Sequence, residues 1–379
     1  MEVWQCAMEK LVEMNTKLFN GVFAGRRVFV TGHTGFKGSW LTHWLLELGA
    51  DVTGFSLEPD TEPSIFEELG LSSRISHHIG DIRDIAKLEV AIKECQPEII
   101  LHLAAQPLVR LSYEDPLGTF ETNVMGLANI LQIARRTSSV KSFVVVTSDK
   151  CYNNLEIDHA YKEEDAMGGY DPYSASKGCA ELVTASFRSS FFNEPNAMQL
   201  ASCRAGNVIG GGDWALDRII PDSVRALSKS ELIAVRNPKA IRPWQHVLEP
   251  LAGYLWVAAL QFQTAGKFNR PWNFGPTANG HLNVGEVVDQ VVKTWGTGDW
   301  EAFSNPDAVH EAHFLKLDSS DAIEMLNWQP VWDSKSAISI AVNWYKNFYD
   351  GKSAFDLVAK DLASYVNAAK TAGAQWAQE

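Results

Sequence analysis

The segment that most restricts how this chain can fold is Thr31-Gly32-His33-Thr34-Gly35-Phe36-Lys37-Gly38. It follows a short β-rich run, Arg27–Thr31, and opens a helical pattern over Ser39–Leu48 that Gly49 ends. Glycines spaced GxxGxxG let backbone amides approach a pyrophosphate at a helix N-terminus. A bare glycine pattern carries little weight. The strand before it and the helix after it point to dinucleotide binding, with a tight βα turn lacking a ligand as the alternative. His33 and Lys37 stand where smaller or apolar residues give the closest backbone fit, which predicts a loose dinucleotide grip. Lys37 either adds a point charge to a phosphate or points to water.

The same alternation continues downstream. Asp51–Ser56 reads as a second strand. Later apolar runs at Glu98–Leu103, Ser142–Thr147 and Ala197–Cys203 are separated by helical patterns at Leu88–Lys93, Gly118–Arg136 and Ser174–Phe192. Unbroken apolar strands between helices predict an α/β, Rossmann-type, doubly wound parallel sheet, assigned here to residues 23–205. After Gly206 the rhythm changes. Gly206–Trp214 reads as a loop, and residues 206–379 as a smaller mixed α/β substrate-binding lobe closing over the carboxyl edge of the sheet. Strands near Trp244–Val247 and Trp272–Phe274 are expected to return to the main sheet, so segments near 240–275 belong partly to the first unit. Tyr254–Phe262 has the length of a buried helix, not of a bilayer span. Residues 1–22 form an N-terminal extension; Trp4, Met8, Leu11 and Leu18 can share a helical face, but a frayed tail is expected. Glu2, Glu9, Lys10 and Glu13 exclude a secretory signal there.

Charge and cysteine usage narrow the function classes. The chain has 33 Lys and Arg against 46 Asp and Glu, a net charge of −13. That argues against a nucleic-acid scaffold but not against an anionic small ligand, because local cations override a global sign. Five cysteines without a CxxC pair indicate neither a disulfide framework nor a zinc site, and fit the cytoplasm. Ten histidines without ligand spacing predict no metal.

Tyr173-Ser174-Ala175-Ser176-Lys177 places a phenol and an ammonium one helical turn apart, so both share a face. A lysine beside a phenol lowers its pKa and makes it a usable acid or base. The apolar run Val144–Val146 ends in Thr147-Ser148-Asp149-Lys150, at the strand end where catalytic groups of α/β sheets emerge. Ser56 closes the second strand without an acid or an adjacent Arg, favouring NAD over NADP. Asp81 is a candidate for the adenine amine or, alternatively, a helix cap. Asn207, Arg218, Arg236 and Arg242 are candidates to surround a diphosphate. Gln106 and His246 are candidates for sugar or phosphate oxygens. Trp214, Trp244 and Trp272 read either as base-stacking platforms or as packing.

Taken together, Thr31–Gly38, Tyr173–Lys177 and the strand end at Ser148 resemble the extended short-chain dehydrogenase/reductase superfamily. Leu103-Ala104-Ala105-Gln106 and Thr122-Asn123-Val124-Met125-Gly126 match its pattern as well. The Ser-Asp-Lys end is similar to that of the sugar-nucleotide 4,6-dehydratases, many of which carry Asp-Glu there. Asp-Lys, with Gly-His-Thr-Gly-Phe-Lys-Gly, Ser56-Leu57-Glu58-Pro59 and Arg242-Pro243-Trp244-Gln245-His246-Val247, resembles the branch acting on CDP-glucose. The likeness runs from about Phe23 to Phe348.

The resemblance implies NAD held along Gly32, His33, Thr34, Gly35, Phe36, Lys37, Gly38, Ser56, Asp81, Ile82, Leu103, Ala104, Ala105 and Asn123, with Tyr173 and Lys177. It implies that Tyr173 takes the 4-hydroxyl proton, Ser148 positions the 4-oxygen, Lys150 removes the carbon-5 proton and Asp149 protonates the departing 6-hydroxyl. A lysine base requires burial and nearby positive charge. The resemblance also implies a homo-oligomer paired through Gly118–Arg136 and Ser174–Phe192. An epimerase, a dehydratase for another nucleotide sugar, and a redox-inactive NAD-sensing protein are the competing readings.

Overall fold

The computed structural model describes residues 16–194, 197–277, 280–303 and 314–378. Trp4, Met8 and Leu11 of the expected helical face lie outside the described residues. Residues 16–22 are not frayed. Leu18 and Phe19 are buried, and Phe19 stacks on Trp376 near the other end of the chain, with ring centroids 5.0 Å apart.

The strands that frame the site are β1 (Arg27–Thr31), β2 (Asp51–Ser56), β3 (Ser76–Ile79), β4 (Ile99–His102), β5 (Ser142–Val146), β6 (Ala160–Tyr161), β7 (Gln199–Ala205), β8 (Asn207–Ile209), β9 (Ile233–Val235), β10 (Ile241–His246), β11 (Pro271–Phe274) and β12 (His281–Asn283). Seven form one sheet in the order β11-β7-β5-β4-β1-β2-β3. Every neighbouring pair in it is parallel. The order reverses between β1 and β4, the switch point where such sheets open a crevice at their carboxyl ends.

Helices cover both faces of the sheet, and others line the cleft beside it: α1 (Phe36–Glu47), α2 (Ile85–Cys95), α3 (Val109–Glu114), α4 (Pro116–Phe120), α5 (Leu127–Ala134), α6 (Pro172–Phe191), α7 (Ile219–Ser228) and α8 (Leu248–Gln263). Alternate strand residues point to opposite faces. Val28, Val30, Leu101 and Val144 accordingly pack with α1 and α8, while Phe29, Ile100, Phe143 and Val145 pack with α2 and α5. This double burial is why the strands read as unbroken apolar runs. Helix α8 is apolar almost all round and lies inside the protein. No helix among the described residues is long and apolar enough to cross a membrane.

Three sequence expectations are corrected, and one strand carried no sequence signal. Gly206–Trp214 contains β8, because Trp244-Gln245-His246 of β10 pairs alongside Asn207-Val208-Ile209. For the same reason β10 does not rejoin the main sheet; it forms a separate sheet in the order β12-β10-β8. β11 does rejoin it, placing Trp272 opposite Cys203 on β7. The Gly118–Arg136 pattern is not one α-helix. A π-helical turn at Glu121–Gly126 separates α4 from α5, a device found often at functional sites. Finally, β3 is a polar edge strand, Ser-His-His-Ile, with no apolar run to mark it.

Candidate active site

A cleft of about 1110 Å³ runs along the carboxyl edge of the sheet and is lined by both lobes. At one end the glycine turn passes backbone against backbone. Gly32 has φ +75°, and a Cβ there would sit 2.7 Å from Ala104 N; one on Gly38 would sit 2.0 Å from Gly32 O. The absent side chains leave the N-terminus of α1 open to the cleft. Thr34 Oγ1 lies 2.8 Å from Ser56 Oγ and donates to Leu57 O at 2.8 Å, tying the turn to the end of β2. Gly32, Thr34, Gly35, Phe36, Lys37 and Gly38 line this wall, continued by Ser56, Asp81, Ile82, Leu103, Ala104 and Ala105. Asp81 is paired with Arg83 at 2.6 Å, whose hydrogen bonds hold its carboxyl below the usual range. The wall fits a dinucleotide, with its pyrophosphate at the α1 N-terminus.

Two residues expected on this wall lie off it, and a third, Lys37, reaches along it toward the catalytic end. The His33 side chain is not on the cleft. It is fully buried, with Nε2 2.7 Å from His77 Nδ1, and its ring covers Gly54, where a Cβ would collide with it. Asn123 is buried behind the wall, where it accepts from Gln106 N at 2.8 Å and donates to Gln106 O and Ser176 Oγ. Lys37 faces the catalytic end. Its ammonium lies 6.0 Å from the Tyr254 ring centroid. Burial, with Arg218 and Lys177 nearby, lowers its pKa to about 8, and Asp149 opposes this.

At the centre, α6 faces the end of β5. Asp171 caps the helix by accepting from Ser174 N, and Pro172 occupies its first turn. Tyr173 and Lys177 are buried one turn apart. Their partners sit on the short turn that follows β5: Ser148 Oγ donates to Asp149 Oδ1 at 3.0 Å and accepts from Lys150 N at 3.2 Å. Asp149 Oδ2 is buried with no hydrogen-bond partner. Burial raises the Asp149 pKa, against the pull of Lys150, Ser148, Arg242 and Lys37. Burial also pushes Tyr173 up to about 12, with the Ser148 hydrogen bond opposing it, and lowers Lys177 to about 8. The arrangement therefore holds a protonatable carboxyl, a phenol and two lysines around one space, the combination needed to move several protons on one substrate.

Asn207, Arg218, Arg236 and Arg242 all line the same cleft. Arg236 pairs with Asp217 at 2.5 Å, and Arg218 lies 3.6 Å from Asp213. Gln106 does not line the cleft; its side chain turns back onto Leu108 and Thr119. His246 does not reach it either. It is fully buried with edge contacts to Trp40 and Trp332, and accepts from Leu248 N. Trp214 packs on Trp344 and Phe348, and Trp272 on Phe268, inside the core; Trp244 lines the cleft. The sequence reading missed Arg110, which joins Arg236 in pairing with Asp217. It also missed His102, whose Nδ1 lies 2.7 Å from Thr31 Oγ1 at the end of β4. Glu181, one turn beyond Lys177, carried the same i+4 signal as Tyr173.

The GDP-mannose 4,6 dehydratase family model matches residues 29–340. The chain is 49% identical over 348 residues to the CDP-glucose 4,6-dehydratase of Salmonella typhimurium, covering 91% of this chain and 97% of that one. It is 26% identical to the dTDP-glucose 4,6-dehydratase of Streptomyces griseus, covering 84% and 93%. Among solved structures, the dTDP-glucose 4,6-dehydratase of Bacillus anthracis in complex with NAD aligns with a TM-score of 0.71 at 20% identity, over 86% of this chain and 97% of that one. The UDP-glucose 4-epimerase of Thermotoga maritima aligns with a TM-score of 0.73 at 19% identity, over 85% and 99%.

Proposed function

Because the chain belongs to the GDP-mannose 4,6-dehydratase family of extended short-chain dehydrogenase/reductases, we propose that it converts CDP-glucose to CDP-4-dehydro-6-deoxyglucose. The observation that carries this reading is the meeting of Tyr173 and Lys177 with Ser148-Asp149-Lys150 in one cleft beneath a dinucleotide-binding turn. An epimerase has no use for the Asp-Lys pair, and a redox-inactive sensor has no use for either set. The 49% identical relative supports the choice of the CDP sugar.

NAD held along the glycine wall would supply a hydride acceptor for carbon 4 and, as NADH, a hydride donor for carbon 6, leaving no net oxidation. Tyr173 removes the 4-hydroxyl proton, and Ser148 fixes the 4-oxygen. Lys177 orients the cofactor ribose and favours the phenolate. The 4-ketone acidifies the carbon-5 proton, which Lys150 removes. Asp149, whose pKa burial raises, gives a proton to the departing 6-hydroxyl, which leaves as water. Lys150 then returns a proton to carbon 5. The proton taken by Tyr173 replaces the one Asp149 spent, through solvent. Asn207, Arg218, Arg236 and Arg242 take the diphosphate from the second lobe.

Incubating the protein and NAD with CDP-, UDP-, dTDP- and GDP-glucose in parallel tests the reading. The 4-keto product, seen by its ultraviolet absorbance in alkali, is expected from CDP-glucose first. Product from none of them sinks it; product from another nucleotide only relocates the specificity. NAD affinity weaker than about micromolar is expected from Lys37 in the turn; a submicromolar value contradicts the loose grip. The protein works in the cytoplasm, in keeping with the free Cys95, Cys151, Cys179 and Cys203. It assembles as a homodimer through α4, the π-helical turn, α5 and α6. Leu117, Met125 and Leu182 on these elements are 75%, 57% and 60% exposed, an apolar surface a second copy can cover. Sedimentation at the monomer mass contradicts that assembly.

A further inference from the structure

Glu181 lies on α6 eight residues beyond Tyr173 and four beyond Lys177, so the three side chains form one stripe, and all are buried. Its carboxylate is fully used. Oε1 accepts from Thr147 Oγ1 at 2.5 Å, and Oε2 accepts from Ser202 Oγ at 2.7 Å and Arg204 Nη2 at 2.8 Å. Arg204, on β7 and only 3% exposed, reaches the other way. Nη1 donates to Tyr152 Oη at 2.8 Å and to Glu163 O at 3.0 Å. Tyr152 Oη in turn donates to Asn273 on β11 at 2.7 Å.

The placement of these anchors matters. Thr147 immediately precedes Ser148, and Tyr152 follows the short turn Asp149–Cys151. One buried ion pair therefore grips the acid–base segment on both sides: Glu181 before it and Arg204 after it. Burial disfavours the Glu181 charge, yet Arg204 and the three hydrogen bonds keep its carboxyl below the ordinary range. Two apolar side chains of equal volume would fill this space at similar or better stability. Stability alone does not call for the pair; geometry does.

We propose that Glu181 and Arg204 are positioning residues, whose ion pair holds Ser148-Asp149-Lys150 in register with Tyr173 and Lys177. This rests on the dehydratase reading above, in which those five residues carry the chemistry. Displacing the segment by a fraction of an ångström spoils proton transfer while leaving the diphosphate contacts of the second lobe in place. The loss then falls on kcat and not on KM.

The test compares wild type, Thr147→Val, Glu181→Gln and the double variant as full-length proteins with NAD and CDP-glucose. Thr147→Val keeps shape and removes one hydroxyl. It is expected to lower kcat about tenfold with KM for the sugar within about threefold. Glu181→Gln is expected to lower kcat about 50-fold, and the double variant no further, since both act through one contact. Folded variants with kcat within about twofold of wild type, or with KM rising in step with the loss, overturn the proposal. So do losses that multiply in the double variant. If Glu181→Gln does not fold, Thr147→Val decides by the same kcat criterion. Wild-type turnover in the same assay tests the dehydratase reading separately. If wild type turns over no nucleotide sugar, NADH titration of each protein decides. Affinity at least about threefold weaker in Glu181→Gln supports a lost register between this segment and Lys177, and an unchanged affinity overturns it.

Discussion

Lys150 brings its ammonium to 5.7 Å from the Tyr173 ring centroid, although the two residues come from different elements, the turn after β5 and the first turn of α6. Lys177 approaches the same ring at 5.9 Å. Burial still raises this phenol to about 12, against the Ser148 hydrogen bond and Arg218, so the lowered value expected from the Tyr173–Lys177 spacing is not found. In the proposed mechanism the two lysines divide the work: Lys177 serves the oxidation and Lys150 the elimination.

Lys150→Ala separates those halves. Carbon-4 oxidation is expected to persist, seen as NADH absorbance on adding CDP-glucose, while release of the 4-keto-6-deoxy product falls at least about 10³-fold. Normal dehydration by this variant rules out Lys150 as the base.

Asp149→Asn tests the acid. The amide keeps the Ser148 contact but has no proton of comparable acidity to give, so elimination is expected to slow about 10²- to 10⁴-fold. Exchange of the carbon-5 hydrogen with deuterated solvent should survive, because Lys150 is untouched. Loss of exchange together with elimination contradicts this division of roles.

The glycine turn gives a contrast between neighbours. A Cβ at Gly35 meets Gly32 O at an ordinary 3.6 Å, whereas at Gly38 it meets the same atom at 2.0 Å. Gly35→Ala is expected to melt like wild type. Gly38→Ala is expected to lose about 2–4 kcal/mol of stability and its NAD binding. Thermal melts with and without NAD distinguish them, and a wild-type-like Gly38→Ala means that the turn can open.

Acid stability follows from buried histidines. His246 is held neutral by burial, its pKa lowered from 6.5 to about 3. The unfolded chain therefore binds a proton that the folded chain refuses between those values. The associated stability is complete above pH 6.5 and drains away as pH falls toward 3, at about 1.4 kcal/mol per pH unit. His33 and His102, both also lowered to about 3, add in the same direction. Glu249, raised by burial to about 7, acts oppositely between its unfolded value and 7. His246→Leu is expected to flatten the acid limb of a denaturation-versus-pH curve by about one proton. Its kcat/KM should stay within about twofold, since His246 lies off the cleft. An unchanged acid limb contradicts the assignment.

Much of this was legible in the residues. The Gly32–Gly38 turn, the Tyr173–Lys177 spacing and the apolar run into Ser148 each reflect local chemistry that the fold preserves. What escaped is what depends on partners distant in sequence. β8 forms because β10 lies beside it, 37 residues away by pairing of Asn207 with Trp244. His246 and Gln106 carry groups suited to a ligand, but packing turns them onto Trp332 and Leu108. Lys37 was placed in the correct turn, yet its long side chain travels to the catalytic end, which backbone position does not reveal. Glu181 and Arg204 pair across 23 residues of sequence; the i+4 spacing from Lys177 marks Glu181, but nothing local marks Arg204 as its partner.

The position of β11 bears on how the chain is made. It is the outermost strand beside β7, and its residues follow those of β7 by about 70 positions, with β8, β10 and α8 between. During synthesis β7 therefore emerges long before the strand that will cover it. Until Pro271–Phe274 has left the ribosome, the edge of β7 presents unsatisfied amides and carbonyls to any neighbouring nascent chain. A fragment ending at the apparent boundary near Gly206 would keep that bare edge permanently. The dinucleotide-binding half thus draws its outermost strand from residues well beyond Gly206.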